Sequence, residues 1–283
     1  MTIQCDRYGM TDIGKERSLN EDQFLIADMH KLLVFEQGSL PINDGTWLWG
    51  GGHRRLFLVA DGVGANPEGK QASAIATQTI SNYVLNTIPW FYLLREDEEN
   101  DLVSELTSAM ERCNRVVENI CAIEGEPKHP ATTMTLAYLL WPRLYVVHVG
   151  HSRCYLLRDK ELHQITTDHT YAQRMVEMGS LNPKNVKASP LRKILWNTIG
   201  GKEKDVHTEV QRVILNSDDK LLLCTDGVTR NLSDERISTI MAQGNTSEAI
   251  VKDLVRESND AGGEDNITAV VAHFPNTTPE IDK

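Results

Sequence analysis

The sequence predicts an α+β fold in layers, with two stacked and mostly antiparallel sheets covered on the outside by helices. Three observations lead there. Apolar, strand-like runs fall in two blocks, before residue 64 and after residue 131. Helix-periodic segments follow Asp61 and again follow Asp226. Two strand-like runs, Leu56-Phe57-Leu58-Val59 and Leu221-Leu222-Leu223-Cys224, each end in Asp-Gly (Asp61-Gly62 and Asp226-Gly227), and a third Asp, Asp265, precedes the apolar run Ile267 to Phe274. Short apolar runs bounded by glycine suit core strands better than helices.

Taken in order, residues 3 to 36 read as strands broken at Gly14 and by the polar block Lys15 to Asp22, where Arg17, Glu21 and Asp22 stand out. Residues 37–54, with Trp47 and Trp49, read as a long hairpin-loop insertion. After the Asp61 turn, Ala72, Ile75, Ala76, Thr79, Ile80, Tyr83 and Val84 recur at three and four residues, as one apolar helix stripe does. Leu102, Leu106, Ala109, Met110, Cys113, Val117 and Ile120 form a second stripe, entered through the acidic run Glu96 to Glu99. Acidic residues suit the positive end of a helix dipole. Residues 131 to 165 read as a meander of four strands with short breaks. Residues 170–201 carry a short helix, Gly179, Pro183 and Pro190, and have the irregularity of a functional flap. Strands return at 206–215 and 219–225. A helix starts near Ser233, and another near Asn245, where Glu248 stands three residues on as in a capping box. The expected organisation is one domain over 1–275, followed by a disordered tail, 276–283.

The 283 residues are 40% hydrophobic and 24% charged, a globular composition. Twenty-nine basic against 40 acidic side chains give a net charge of −11, which argues against a general binder of nucleic acid or anionic membranes. The five cysteines include no CxxC pair, and Cys154 and Cys224 lie inside strand patterns. They read as small buried hydrophobes in a reducing compartment, so the protein is expected in the cytoplasm. The first residues lack a signal-peptide layout, and no run reaches the length of a membrane span.

An Asp-Gly turn after a strand is common in itself. Its recurrence, with Asp265, makes Asp61, Asp226 and Asp265 candidates for one shared metal site. The candidate donors are oxygens, and no His or Cys spacing suggests zinc. Hard donors point to Mg²⁺ or Mn²⁺. Two such ions about 3.5–4 Å apart can clamp a phosphoryl group and activate water. Residue chemistry alone leaves phosphoester hydrolysis and other metal-dependent hydrolyses open.

The motifs Gly14-Lys15-Glu16-Arg17-Ser18-Leu19-Asn20-Glu21-Asp22, Val59-Ala60-Asp61-Gly62-Val63-Gly64, Ala131-Thr132-Thr133, Val149-Gly150-His151-Ser152-Arg153, Thr167-Asp168-His169-Thr170, Cys224 to Thr229 and Glu264 to Thr268 occur in this order. In that order they resemble the metal-dependent serine/threonine protein phosphatases of type 2C, in the bacterial form of the family. The resemblance implies a four-layer αββα sandwich with two Mn²⁺ or Mg²⁺ ions between the sheets. It implies that Asp61 bridges the ions, that the Gly62 carbonyl binds one, and that Asp226 and Asp265 complete the other. Glu21 and Asp22 would hold metal-bound waters, and Arg17 would bind the substrate phosphate. Water activated by the two metals would attack phosphorus directly, without a phosphoenzyme.

The substrates so implied are phosphoserine and phosphothreonine proteins, targets of a serine/threonine kinase, with the enzyme a monomer. Alternatives are an inactive phosphoprotein-binding scaffold and a phosphatase of a small metabolite. Two positions depart from the family pattern. Ala131 replaces a Gly, and His151 replaces an Asp that helps bind a third, weaker metal. Imidazole is a poorer match than carboxylate for Mg²⁺, so that third site is expected to be weak or empty; a protonated His151 could instead donate a proton. His169 is expected to be structural.

Overall fold

The structure is a computed structural model and describes residues 4–30, 32–34, 47–49, 54–64, 67–88, 96–123, 130–201 and 205–276. One five-stranded sheet has the order β1 (Asp6–Asp12), β15 (Ile267–His273), β14 (Lys220–Cys224), β10 (Arg153–Arg158), β11 (Glu161–Gln164). The other has the order β13 (Glu209–Ile214), β9 (Arg143–Val149), β8 (Met134–Leu140), β5 (Arg54–Ala60), β2 (Gln23–Met29). Every neighbouring pair in both sheets is antiparallel.

Strand alternation explains how the layers assemble. Successive side chains point to opposite faces. In β5, Phe57 and Val59 enter the apolar layer between the sheets, whereas Leu56, Leu58 and Ala60 face the other way. In β14, Leu221 and Leu223 face the partner sheet, and Leu222 and Cys224 face outward. Both faces of these strands are buried, so the strands read as unbroken apolar runs and not as alternating ones.

Helices cover both outer faces. The outer residues of β5 and β8 pack on α1 (Glu68–Asn86) and α2 (Glu96–Ile123), through Ala72, Ala76, Ile80 and Val84 of the first and Leu102, Leu106, Met110, Cys113 and Val117 of the second. Both stripes lie as their spacing predicts over the described side chains; that of Ile120 lies outside them. On the other side, α5 (Asp234–Gln243) and α6 (Ser247–Asp260) cover β14 and β15 through Ile237, Ile240, Ile250, Val251 and Leu254. The layers therefore run helix, sheet, sheet, helix.

Several details differ from expectation. The cap of α6 is Thr246, whose side chain accepts from the Ala249 amide, one residue past the expected Asn245. Glu248 is no capping-box partner and pairs with Lys252 at 2.6 Å. The chain after Asp226 first makes a short helical turn, α4 (Asp226–Thr229), before α5. Residues 170–201 contain α3 (Tyr171–Glu177) and two 3₁₀ turns, Pro183–Asn185 and Pro190–Lys193. Most of the expected 37–54 loop lies outside the described residues; Trp47–Trp49 (β4) pairs with Leu32–Val34 (β3). The expected tail lies outside the described residues from 277 onward. Cys154 and Cys224 are fully buried and free, and burial pushes the Cys224 thiol up to about 12.

Phe57 is fully buried between the sheets. Phe57→Ala is expected to cost about 3–5 kcal/mol by lost burial and cavity formation. Denaturant titration of the two proteins, monitored by circular dichroism, measures the difference.

Candidate metal centre

Each sheet delivers carboxylates to one point. Asp61 follows β5 and enters a small sheet of β6 (Gly62–Val63), β7 (Ala131–Thr132) and β12 (Ile199–Gly200). The Asp61 carbonyl accepts from the Thr133 amide at 2.9 Å and the Thr132 hydroxyl at 2.8 Å, which fixes the turn. Glycine is required beside both acids. A Cβ on Gly62 would fall 2.4 Å from the Gly69 carbonyl oxygen, and one on Gly227 would fall 1.9 Å from that of Asn266. Asp226 opens α4 at the end of β14, and Asp265 lies in the loop before β15.

The segment between β1 and β2 supplies Arg17, Glu21 and Asp22. Asn266 anchors it: its side-chain NH₂ donates to the carbonyls of Ile13 and Leu19, and its oxygen accepts from the Glu21 amide. The Ser73 hydroxyl of α1 holds the Glu21 carbonyl at 2.6 Å. Asp22 Oδ2 accepts from Thr225 and Thr268, at 2.8 and 2.6 Å. The threonines of the Thr-Asp-Gly and Asn-Ile-Thr motifs thus position a carboxylate more than 200 residues away in sequence.

The electrostatics are those of crowded acids. Burial, with repulsion from Asp22, Asp226 and Asp265, raises Asp61 well above the usual carboxylate range. Burial raises Asp22 to about 7, against the pull of its threonine bonds and with the push of Asp226 and Asp265. Burial likewise raises Glu21. Asp226 runs the other way: burial would raise it, but His151 and Arg230 outweigh that and hold it low.

His151 lies between two of the acids, with Nε2 3.2 Å from Asp226 Oδ2 and Nδ1 3.8 Å from Asp61 Oδ2. Arg17 sits on Asp265 through both carboxylate oxygens, at 2.7 and 2.8 Å, with its side chain 44% exposed. The residue expected to bind substrate phosphate thus also contacts a candidate metal ligand. Arg230 is a residue the sequence reading missed. It pairs with both Asp226 and Asp265. Its signal was the i,i+4 spacing from Asp226, which puts the two side chains on one helical face.

The residues fit divalent cations. Glu21 Oε1, Asp22 Oδ1 and His151 Nδ1 are buried without hydrogen-bond partners around this centre. A buried polar atom left unpaired is costly, and a hard cation with its water satisfies oxygens of this kind. Asp61, His151 and Asp226 also bring ligand atoms within 4.8 Å of one another.

A second group, His148, His169 and Glu209, has the same compactness but engaged nitrogens. His148 Nε2 faces the carbonyls of Gly150 and Thr167, and His169 Nδ1 accepts from the Gly150 amide and Asn197. These contacts tie the Gly150 turn, and with it His151, to both ends of the 170–201 segment. Arg153 grips Asp168 in a bidentate pair at 2.7 Å for each bond, joining the same two motifs.

A helix–sheet–sheet–helix sandwich with carboxylates converging from strand ends of both sheets defines a protein built around a divalent-cation centre. The chain belongs to the protein phosphatase 2C family, whose model matches residues 36–271. It is 30% identical over 238 residues to the serine/threonine protein phosphatase PstP of Mycobacterium tuberculosis, covering 84% of this chain and 43% of that protein, so it spans less than half the relative's length. Protein phosphatase PhpP of Streptococcus pneumoniae is 29% identical over 218 residues, 77% of this chain and 85% of that one. The crystal structure of M. tuberculosis PstP superposes with a TM-score of 0.76 at 27% identity, covering 96% of this chain and 99% of that one. The PstP catalytic domain in complex with two manganese ions gives a TM-score of 0.74 at 26% identity, covering 97% and 100%.

The raised acids set a pH dependence for the metal-free protein. A carboxyl whose folded pKa lies above its unfolded value binds more protons when folded, so its stabilising contribution is lost as pH rises through the folded pKa. For Asp22 that window runs from about 4 to about 7, and Asp61 and Glu21 act in the same sense. In chelator, the protein is expected to melt lower at pH 8 than at pH 5.5. Asp61→Asn should raise the pH 8 melting temperature in chelator, and thermal denaturation monitored by fluorescence reads both effects.

Proposed function

We propose that this chain is a metal-dependent phosphoprotein phosphatase that hydrolyses phosphoserine and phosphothreonine by direct attack of water. The observation that carries this reading is that Asp61, Asp226 and Asp265 lie at one centre, linked through His151 and Arg230, beside the unpaired buried oxygens of Glu21 and Asp22. In this reading Asp61, the Gly62 carbonyl, Asp226 and Asp265 hold two Mn²⁺ or Mg²⁺ ions, and Glu21 and Asp22 orient their water. Such ions polarise phosphoryl oxygens and lower the pKa of water.

The chain's own groups do the rest. In this reading Arg17, half-exposed at the edge of the centre and paired with Asp265, turns its planar fork to phosphate oxygens when substrate binds. A protonated His151, held beside Asp61 and Asp226, serves in the same reading as the proton donor.

A protein substrate is favoured over a small metabolite by the surface beside the centre. A cavity next to Asp226 is lined by His151, Arg153, Lys187, Arg192 and Arg230. The 170–201 segment bordering it carries Arg174, Lys184, Lys187, Arg192 and Lys193 against the one acid Glu177, in a chain of net charge −11. It also exposes Tyr171, Met178 and Ile194. An open basic and apolar border suits a polypeptide better than a compact metabolite. Retention of Asp61, Asp226 and Asp265 disfavours the inactive-scaffold alternative. No helix among the described residues is long and apolar enough to cross a membrane. Buried free thiols are consistent with a cytoplasmic site of action.

The test is phosphate release from a phosphothreonine peptide with Mn²⁺, with Mg²⁺ and with chelator. Turnover is expected with either ion and loss in chelator; phosphopeptide binding without turnover in Mn²⁺ would sink the reading. Asp226→Ala should remove most activity, and Glu21→Gln or Asp22→Asn about 10–100-fold. Arg17→Ala should lower kcat/KM about 10–100-fold through a lost charged contact.

A further inference from the structure

Arg230 has no part in the hydrolysis described above, yet it is the most deeply engaged cation of the centre. It stands at the C-terminal end of α4 with its side chain 16% exposed. One arm of its guanidinium pairs with Asp226 Oδ2, and the other reaches Asp265 Oδ2 at 2.5 Å. Asp226 Oδ2 also faces His151 Nε2 at 3.2 Å, and both oxygens of Asp265 are further engaged by Arg17. Asp226 Oδ2 and both oxygens of Asp265 are therefore already engaged by side chains of the protein itself.

A guanidinium cannot ligate a metal ion, because it offers donors only. Two positive charges sharing one carboxylate oxygen in a buried setting repel strongly, since screening there is weak. Arg17 and Arg230 already share Asp265 Oδ2, so an ion taking up Asp226 and Asp265 adds a further positive charge there and competes with Arg230 for those oxygens. A space for the displaced side chain adjoins the pair, because Arg230 and Thr229 already line the cavity that reaches Lys187 and Arg192.

We propose that Arg230 is a tethered cation that competes with metal ions for Asp226 and Asp265 and so sets how tightly the centre holds them. Before metal enters, Arg230 neutralises the two acids and keeps their carboxylates aimed at one point. When metal enters, the ion takes over that neutralisation and the guanidinium is released. The exchange weakens net metal affinity and stabilises the metal-free fold. His151 beside Asp226 acts in the same direction when protonated, but Arg230 carries its charge at every physiological pH.

The inference rests on the metal-dependent reading, and the two fail differently. The experiment is calorimetric titration of MnCl₂ into the full chain, freed of metal, for the unmodified protein, Arg230→Gln and Arg230→Lys. Arg230→Gln is expected to bind Mn²⁺ at least about tenfold more tightly, or about 1.4 kcal/mol. Arg230→Lys, a point charge without the fork, should fall between. Melting temperature in chelator should drop for Arg230→Gln, and its rise on adding Mn²⁺ should exceed that of the unmodified protein. Equal or weaker Mn²⁺ affinity in a cooperatively folded Arg230→Gln would overturn the inference. If that variant does not fold, Arg230→Lys decides, and affinity no tighter than the unmodified protein's would overturn it. Absence of Mn²⁺ binding by the unmodified chain would overturn the metal-dependent reading itself.

Discussion

Mutual repulsion among carboxylates gathered at one poorly hydrated point is the constraint on which the rest of this structure depends. Burial raises Asp22 and Asp61 in the folded state, and repulsion from Asp226 and Asp265 adds to the penalty. Left to relax, such groups would swing apart into water. The chain prevents this through rigid attachments: strand ends for Asp61 and Asp226, two threonine hydroxyls on Asp22, and a guanidinium on either side of Asp265. The sandwich is the scaffold that withstands the repulsion, because its sheets are locked face to face by a continuous apolar layer. Stability is spent here to keep the acids poised.

The same logic extends to the surroundings of the centre. The Arg153–Asp168 pair and the His148–His169 stack hold the Gly150 turn against the start of the 170–201 segment. His169 also packs on Trp196 near the far end of that segment. The segment is clamped at both ends by groups that touch the turn carrying His151, so its basic face is held in register with the acids. Acids crowd the centre and basic side chains border it, an arrangement that draws anions to that border.

Much of this was legible in the sequence for a plain reason. Core strands buried on both faces are continuous apolar runs, and a run that ends in Asp-Gly announces both its terminus and the acid it delivers. The stripes of α1 and α2 were legible because 3.6-residue periodicity has few other causes. The cap of α6 was off by one residue, since Asn245 and Thr246 are adjacent and both are competent caps. The pairing of Arg230 with Asp265 and the anchoring role of Asn266 were not legible. Their partners lie on other elements, 35 residues away for Arg230 and Asp265 and 245 for Asn266 and Glu21, and no local pattern encodes such pairs. Arg17 was recognised, but its grip on Asp265 needed the fold.

The first and last strands of the fold lie side by side: β1 pairs with β15 along its whole length, from Asp6 opposite His273 to Asp12 opposite Ile267. While the chain is still emerging from the ribosome, β1 has no neighbour in its sheet and the acids at 22, 61 and 226 lack Asp265 and the Asn266 anchor. The centre therefore cannot close until β15 has been made. A polypeptide cut short anywhere before β15 would carry most of the acids of this centre and be able to assemble none of it, which spares the cell a half-built cluster of buried charge.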